Sequence, residues 1–115
     1  MSNNDFIQTD DYQWQRKSGD TYEMYQMVEH YLGNDKSVYF AGGGTFKLAD
    51  YADDDIDYCI DTYGYDGIDD VKRIYGDDWE GIVAECVFEC NWADFPVESF
   101  DTEKEALAFV SKCMQ

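Results

Sequence analysis

Apolar side chains recur every three or four residues in four stretches of the chain, which is the spacing of an amphipathic helix. In the first stretch, Thr21–Leu32, the repeating positions are Met24, Met27, Val28, Tyr31 and Leu32. Asp20 is a favourable N-cap, Glu23 completes a capping box, and Gly33 offers a left-handed stop. The pattern therefore predicts a helix over Thr21–Leu32.

The other three stretches also carry helix boundary signals. Gly64 and Gly76 are placed to end the first two, and Asp66 is placed to cap the second. Thr102 and Glu105 form a capping box before the last. We predict helices over Ala52–Tyr63, Gly67–Tyr75 and Glu103–Met114.

A glycine triplet separates two strand-like segments, Ser37–Ala41 and Thr45–Ala49. Glycine supplies the positive φ that tight turns need, so Gly42–Gly44 predicts a hairpin turn. A phosphate-binding loop is not predicted, because the triplet lacks the Walker lysine and leads into a strand.

The segment Asp77–Cys90 fits two periodicities. Its apolar residues match helical spacing and strand alternation equally well. Its valine and phenylalanine content and Gly81 favour a strand. A turn at Asn91–Asp94 and a strand at Val97–Phe100 are predicted to follow.

These elements predict one α+β domain over residues 1–115, a small antiparallel β-sheet packed against three to four helices. A composition of 44% apolar and 17% aromatic residues supplies a core, which argues against general disorder. Only Met1–Asp5 is expected to be disordered.

Charge changes this picture most. The chain carries 26 acidic and eight basic residues, a net charge of −18. Twelve of the carboxylates fall within Asp50–Glu80, together with two cations, Lys72 and Arg73. Solubility needs a net charge of only about 2 to 8 in magnitude, so the excess indicates a basic partner. Direct binding to nucleic acid or to an anionic membrane is not expected, because phosphates would be repelled.

The predicted helix Ala52–Tyr63 would space its carboxylates like a nucleic-acid strand. Its length of about 18 Å gives about one carboxylate per 3.6 Å, against about one phosphate per 3.4 Å of a DNA strand. Neighbouring aromatic rings could stack on arginine side chains of a partner. The candidate partner-binding residues are Asp50, Asp53, Asp54, Asp55, Asp57, Asp61, Asp66, Asp69, Asp70, Asp77, Asp78, Glu80, Tyr58, Tyr65 and Trp79.

Catalysis, metals and cofactors are not predicted. The single histidine, His30, falls in a run of core residues and is interpreted as structural. The four cysteines are Cys59, Cys86, Cys90 and Cys113. They lack zinc-site spacing and are interpreted as buried thiols. No EF-hand register fits, since placing Gly64 at the sixth loop position puts Cys59 at the first.

The size and charge character of the chain resemble those of the small acidic DNA-mimic inhibitors of phages and mobile elements, such as anti-CRISPR and antirestriction proteins. The resemblance implies a protein that blocks the nucleic-acid groove of a CRISPR effector or restriction enzyme. The N-terminus MSNNDFIQTDD lacks a basic region and an apolar run, so we expect cytoplasmic localisation in the host cell. The expected state is a monomer or weak dimer.

Two alternatives stay open from the sequence. An immunity protein that neutralises a basic nuclease toxin would need the same acidic surface. A divalent-metal-binding protein would use the aspartates as oxygen ligands.

Overall fold

A computed structural model describes residues 6–115. The prediction of disorder at Met1–Asp5 lies outside the described residues. The strands are β1 (Ile7–Asp10), β2 (Gln13–Ser18), β3 (Thr21–Gly33), β4 (Lys36–Lys47) and β5 (Val97–Phe100). The helices are α1 (Asp53–Thr62), α2 (Ile68–Tyr75), α3 (Trp79–Cys90) and α4 (Glu103–Cys113). The α+β class is confirmed.

The five strands form one antiparallel sheet in the order β1-β2-β3-β4-β5. The chain divides into two compact units, one of residues 6–45 with Ala93–Gln115 and one of Phe46–Trp92. Whether they form one domain, as chain length predicts, stays a prediction.

In the first unit, α4 packs against the sheet. Its buried side chains Ala106 and Val110, together with Met114 directly after the helix, meet Met27 of β3 and Ala41 of β4. The helix starts where the capping box predicts, because the Thr102 side chain accepts a hydrogen bond of 3.2 Å from the Glu105 backbone N–H. The predictions of β5 and of this last helix are confirmed.

The predicted helix over Thr21–Leu32 is wrong, because this segment is β3. Tyr22, Met24 and Gln26 are buried on one face of the strand, and Met27 is buried on the other. Burial on both faces of a strand places apolar residues at mixed intervals, which imitates helical spacing.

The residues that were predicted to begin and end this helix form the turns before and after β3. Asp20 lies in the tight turn between β2 and β3, beside Gly19 at φ +63°. After Gly33, Asn34 and Asp35 take left-handed conformations at φ +57° and +61° and reverse the chain into β4. Asn and Asp tolerate that region better than other non-glycine residues, so the segment marks a hairpin turn.

The predicted hairpin at Gly42–Gly44 is wrong as well, because β4 runs through the triplet without turning. A Cβ on Gly42 would lie 2.1 Å from the Pro96 carbonyl oxygen, and one on Gly43 would lie 2.0 Å from that of Met24. These glycines therefore permit close approach of the neighbouring backbone. In the sequence, glycines needed for close approach look the same as glycines needed for a turn.

In the second unit, α1 confirms the helix predicted over Ala52–Tyr63. The prediction for α2 is confirmed except at its start, where Gly67 rather than Asp66 is the N-cap residue. The predicted strand within Asp77–Cys90 is wrong, because Trp79–Cys90 is α3. Five residues of α3 are buried: Val83, Ala84, Cys86, Val87 and Phe88. They occupy several sides of the helix, so its sequence lacks the one-sided pattern that identifies a helix.

We predict that Gly43→Ala lowers the free energy of unfolding by about 3 kcal/mol, since the new Cβ meets rigid backbone at φ +151°. Gly44→Ala is the control. Its Cβ meets only the Phe95 ring, at 3.2 Å, and should cost less than about 1 kcal/mol. Urea denaturation of both variants measures the difference, and equal losses would contradict the close-approach explanation.

Candidate functional site

The candidate site begins with the two faces of α1. Ile56, Cys59 and Ile60 are buried, whereas all five aspartates of the helix are exposed. The helix starts with three aspartates in its first turn, where the positive end of the helix dipole favours anions. The apolar face thus fixes the orientation of α1, and the carboxylates are directed to solvent.

A Schellman turn ends α1 and sets the position of the next residues. The Tyr65 N–H donates to the Ile60 carbonyl at 3.1 Å, and the Gly64 N–H donates to that of Asp61 at 3.0 Å. Gly64 has φ +92°, the left-handed conformation that this motif requires. The chain therefore folds back over the end of the helix and brings Tyr65 and Asp66 close to its exposed carboxylates.

Together these residues border a shallow depression of about 490 Å³ that is wide open to solvent, which we call the acidic cleft. It is lined by Asp54, Asp57, Tyr58, Asp61, Tyr65, Asp66 and Gly67. In the part of the chain that the structure describes, none of its four carboxylates makes an ion pair. Except for Gly67, all of these lining residues are among the candidate partner-binding residues that the sequence predicts.

The two tyrosines of the cleft differ in how firmly their side chains are held. Tyr58 is 67% exposed and lies one helical turn after Asp54. Tyr65 is held by Tyr75 through a hydrogen bond of 2.6 Å between their hydroxyls, and the two rings meet edge to face. This hydrogen bond, assisted by burial, raises the pKa of Tyr65 to about 12. Tyr65 is therefore a fixed wall of the cleft, whereas Tyr58 is a free aromatic surface.

Asp70 serves the fold at the start of α2. Its carboxylate accepts a hydrogen bond from the Asp66 N–H at 3.1 Å and pairs with Arg73. The bond from Asp66, followed by that from Arg73, lowers the pKa of Asp70. Both carboxylate oxygens are engaged, so Asp70 is less available to a partner than the other predicted residues.

Lys72, the second cation of α2, lies over the ring of Trp79 at 4.5 Å from its centroid. Such a contact is a cation–π interaction, and it occupies one face of the half-buried indole. Both cations of the acidic stretch are thus bound within the second unit and leave the acidic cleft un-neutralised.

The remaining candidates lie around this cleft rather than in it. Glu80 is half-buried at the start of α3 and has further interactions. The others are exposed residues of α1, of α2 and of two short 3₁₀ helices: Asp50, Asp53, Asp55, Asp69, Asp77 and Asp78.

The sequence predicts four buried thiols, and this prediction is confirmed for two of the four cysteines. Cys59 and Cys86 are buried, and burial raises their pKa values to about 12 and about 11. Cys90 and Cys113 are half-buried, and burial raises the pKa of Cys113. Thiolate formation at neutral pH is therefore disfavoured at Cys59, Cys86 and Cys113.

His30 lies on β3, not on a helix, and it is exposed. Its ring lies 6.4 Å from that of Phe40.

Residues 6–115 contain no group of three or more His, Cys, Asp or Glu side chains arranged to hold a metal ion. Within the same residues, no helix is long and apolar enough to cross a membrane.

Comparison of the chain with protein-family models, with curated proteins and with solved structures gave no match.

The sequence does not indicate the contact that holds Tyr65 in place beside the cleft. The Tyr65–Tyr75 pair joins the turn after α1 to the end of α2, and nothing in the separate segments indicates that contact. The signal for the turn itself was present, because a glycine after the last helical position followed by a large residue is typical of a Schellman motif.

We predict that Tyr75→Phe lowers the pKa of Tyr65 from about 12 towards its ordinary value near 10, because the hydrogen bond between the hydroxyls is lost. The folded state holds this proton more tightly than the unfolded chain does. The resulting stability is full below about pH 10 and is lost as the pH rises through about 12.

NMR titration of the Tyr65 ring measures this change. Tyr58→Phe is the control and should leave the titration of Tyr65 as it is. A pKa near 12 in Tyr75→Phe would show that the hydrogen bond is not its cause.

Proposed function

We propose that this protein is an acidic DNA mimic that inhibits a host defence enzyme, a CRISPR effector or a restriction enzyme, in the cytoplasm of the host cell. It occupies the groove in which the enzyme binds nucleic acid and excludes the substrate. The observation that carries the proposal is the acidic cleft, where four unpaired carboxylates border an exposed tyrosine.

The spacing of the carboxylates on α1 supports this proposal. From Asp53 to Asp61 the helix rises about 12 Å and carries five carboxylates, or about one per 3 Å of axis. One strand of DNA presents a phosphate about every 3.4 Å. The carboxylates are spread around the exposed side of the helix, so the match is one of charge density rather than of a single line.

The lack of internal neutralisation supports it further. The unit Phe46–Trp92 carries 14 acidic and three basic residues, hence a net charge of −11. Two of those cations, Lys72 and Arg73, are engaged by Trp79 and Asp70. The field of the cleft therefore extends into solvent, where it steers and orients a basic partner.

The chemistry of the cleft suits arginine in particular. A guanidinium can stack on an exposed aromatic ring while it donates hydrogen bonds to flanking carboxylates. Tyr58 provides the ring, and Asp54 and Asp61 lie about one turn away on either side. This arrangement would bind the arginine side chains with which a nucleic-acid groove contacts phosphates.

The first test is a pull-down of the tagged protein from host lysate at low salt, with elution in salt steps and identification by mass spectrometry. The eluted nuclease is then purified, and its cleavage of duplex DNA is measured with and without the inhibitor. Excess duplex should displace the inhibitor, since both occupy one groove. If added DNA does not compete, mimicry is excluded even when the nuclease is inhibited.

We predict that simultaneous replacement of Asp54, Asp57, Asp61 and Asp66 by Asn weakens binding to the captured nuclease at least about 100-fold, because four charge-assisted contacts are lost. The dependence of binding on salt should become less steep as well. Isothermal calorimetry at several NaCl concentrations measures both effects.

A matched control removes the same number of charges elsewhere. Asp11, Asp35, Asp94 and Asp101 are all exposed and lie in the other unit. Their joint replacement by Asn gives the same net charge of −14, since each variant loses four of the 26 carboxylates and the net charge changes from −18 to −14. Equal weakening in the two variants would mean that net charge, and not the acidic cleft, determines binding.

A further inference from the structure

Two cysteines of the second unit meet where α1 packs against α3. Cys59 lies on the buried face of α1, Cys90 is the last residue of α3, and the two thiols are within hydrogen-bonding reach of one another. Asn91, which directly follows Cys90, donates a hydrogen bond of 3.7 Å from its side-chain amide to the Cys59 sulfur. Two neighbouring residues at the end of α3 therefore contact the same sulfur and hold it beside Cys90.

The Asn91 side chain is itself held in place. Its amide also donates a hydrogen bond of 2.9 Å to the Val87 carbonyl, one turn earlier in α3. Asn91 is the C-cap residue of this helix. The contact between the two sulfurs is thus part of the way in which α3 ends, so the fold maintains it.

The other two cysteines are not placed for a similar contact with Cys90. Cys86 lies four residues before Cys90 on the same helix, where Cβ atoms are about 5–6 Å apart. A disulfide needs a Cβ separation of only about 3.5–4.5 Å. Cys113 belongs to the other unit. The partner that the fold offers to Cys90 is therefore Cys59.

The two thiols of the pair differ in their access to solvent. Cys59 is 2% exposed, whereas Cys90 is half-buried. Burial, followed by the contact with Cys90, raises the pKa of Cys59 to about 12. A reagent that enters from solvent therefore meets Cys90 first, and Cys59 lies behind it. A reachable thiol next to a second, resolving thiol is typical of redox-sensitive sites.

We propose that Cys59 and Cys90 are a redox pair, which an uncharged hydroperoxide converts to a disulfide between α1 and α3. With hydrogen peroxide, the Cys90 sulfur attacks the O–O bond, which gives a sulfenic acid at Cys90 and one water. The Cys59 sulfur then displaces the hydroxyl group from the Cys90 sulfur as a second water. The two thiols lose two electrons and two protons in total, and a dithiol reverses the reaction by thiol–disulfide exchange.

The charge of the second unit determines the class of oxidant. This unit has a net charge of −11, so it repels anionic disulfides such as oxidised glutathione. Hydrogen peroxide is small and uncharged, so it can reach a half-buried sulfur. We therefore expect it to oxidise the pair faster than oxidised glutathione does at the same concentration. Added salt should reduce the difference, because it screens the repulsion.

The redox pair is separate from the acidic cleft. Neither cysteine lines the cleft, and Cys59 is on the buried face of α1, whereas the carboxylates of that helix are exposed. The oxidised protein should therefore keep its acidic surface. The redox pair and the proposed inhibition of a nuclease can thus fail independently of one another.

Oxidation of the reduced wild-type protein with hydrogen peroxide tests the proposal. The number of titratable thiols should fall from four to two, and peptide mapping should join Cys59 to Cys90. Dithiothreitol should then restore all four thiols. Three results would overturn the proposal: four thiols that persist, thiols that are lost without an internal disulfide, or a disulfide that joins a different pair.

The variant Cys59→Ser distinguishes the roles of the two thiols. It leaves Cys90 without a resolving thiol, so labelling of the Cys90 sulfenic acid by dimedone should rise at least about fivefold. The control is Cys113→Ser, which removes another half-buried thiol and should form the disulfide at the wild-type rate. Equal loss of the disulfide in both variants would contradict the assignment.

A comparison of native and unfolded protein needs no variant. In concentrated urea the fold no longer selects a partner, so oxidation should give mixed pairings. The oxidised native protein should unfold at a temperature at least about 5 °C higher than the reduced protein, because the disulfide closes a loop of about 30 residues. The same single pairing in urea, or a lower midpoint after oxidation, would show that the fold does not hold these sulfurs ready to bond.

Discussion

Burial of apolar side chains holds the helical unit together against the mutual repulsion of its carboxylates. Phe46–Trp92 carries a net charge of −11 and remains compact because its apolar side chains are buried together. Ile60, Val71 and Val87 have no exposed surface, and Phe88 stacks on Phe46 at 6.3 Å between ring centroids. Once these residues face inwards, the aspartates of α1 and α2 are left on the exposed sides. The acidic surface and the apolar core are therefore two results of one arrangement.

In the sheet-bearing unit, the corresponding constraint is the close approach of backbones. Gly42 and Gly43 leave no room for a side chain where β4 passes Met24 of β3 and Pro96 before β5. Long central strands combined with short outer ones then leave part of β3 unpaired. Strand length, which no single residue specifies, thus creates a surface that differs from the rest of this acidic chain.

The protein consequently presents two surfaces of different chemical character. The acidic cleft gathers unpaired charge around an exposed tyrosine, which suits a basic partner and a salt-sensitive complex. The end of β3, Val28–Gly33, extends past β2 and exposes the apolar side chains of Val28, Tyr31 and Leu32.

The sequence by itself determined the fold class, three of the four helices, the last strand and the acidic character of α1. These features are local, because capping residues, glycine stops and one-sided apolar spacing act within a few residues. The strand β3, the course of β4 through its glycines and the helix α3 were decided only by the tertiary structure. Burial on more than one side removes the periodicity that distinguishes helix from strand, and pairing with distant segments then decides between them. The acidic cleft needed the tertiary structure too, because the contact of Tyr65 with Tyr75 joins segments ten residues apart. Charge density can be counted along a chain, whereas a cleft exists only after the chain has folded back on itself.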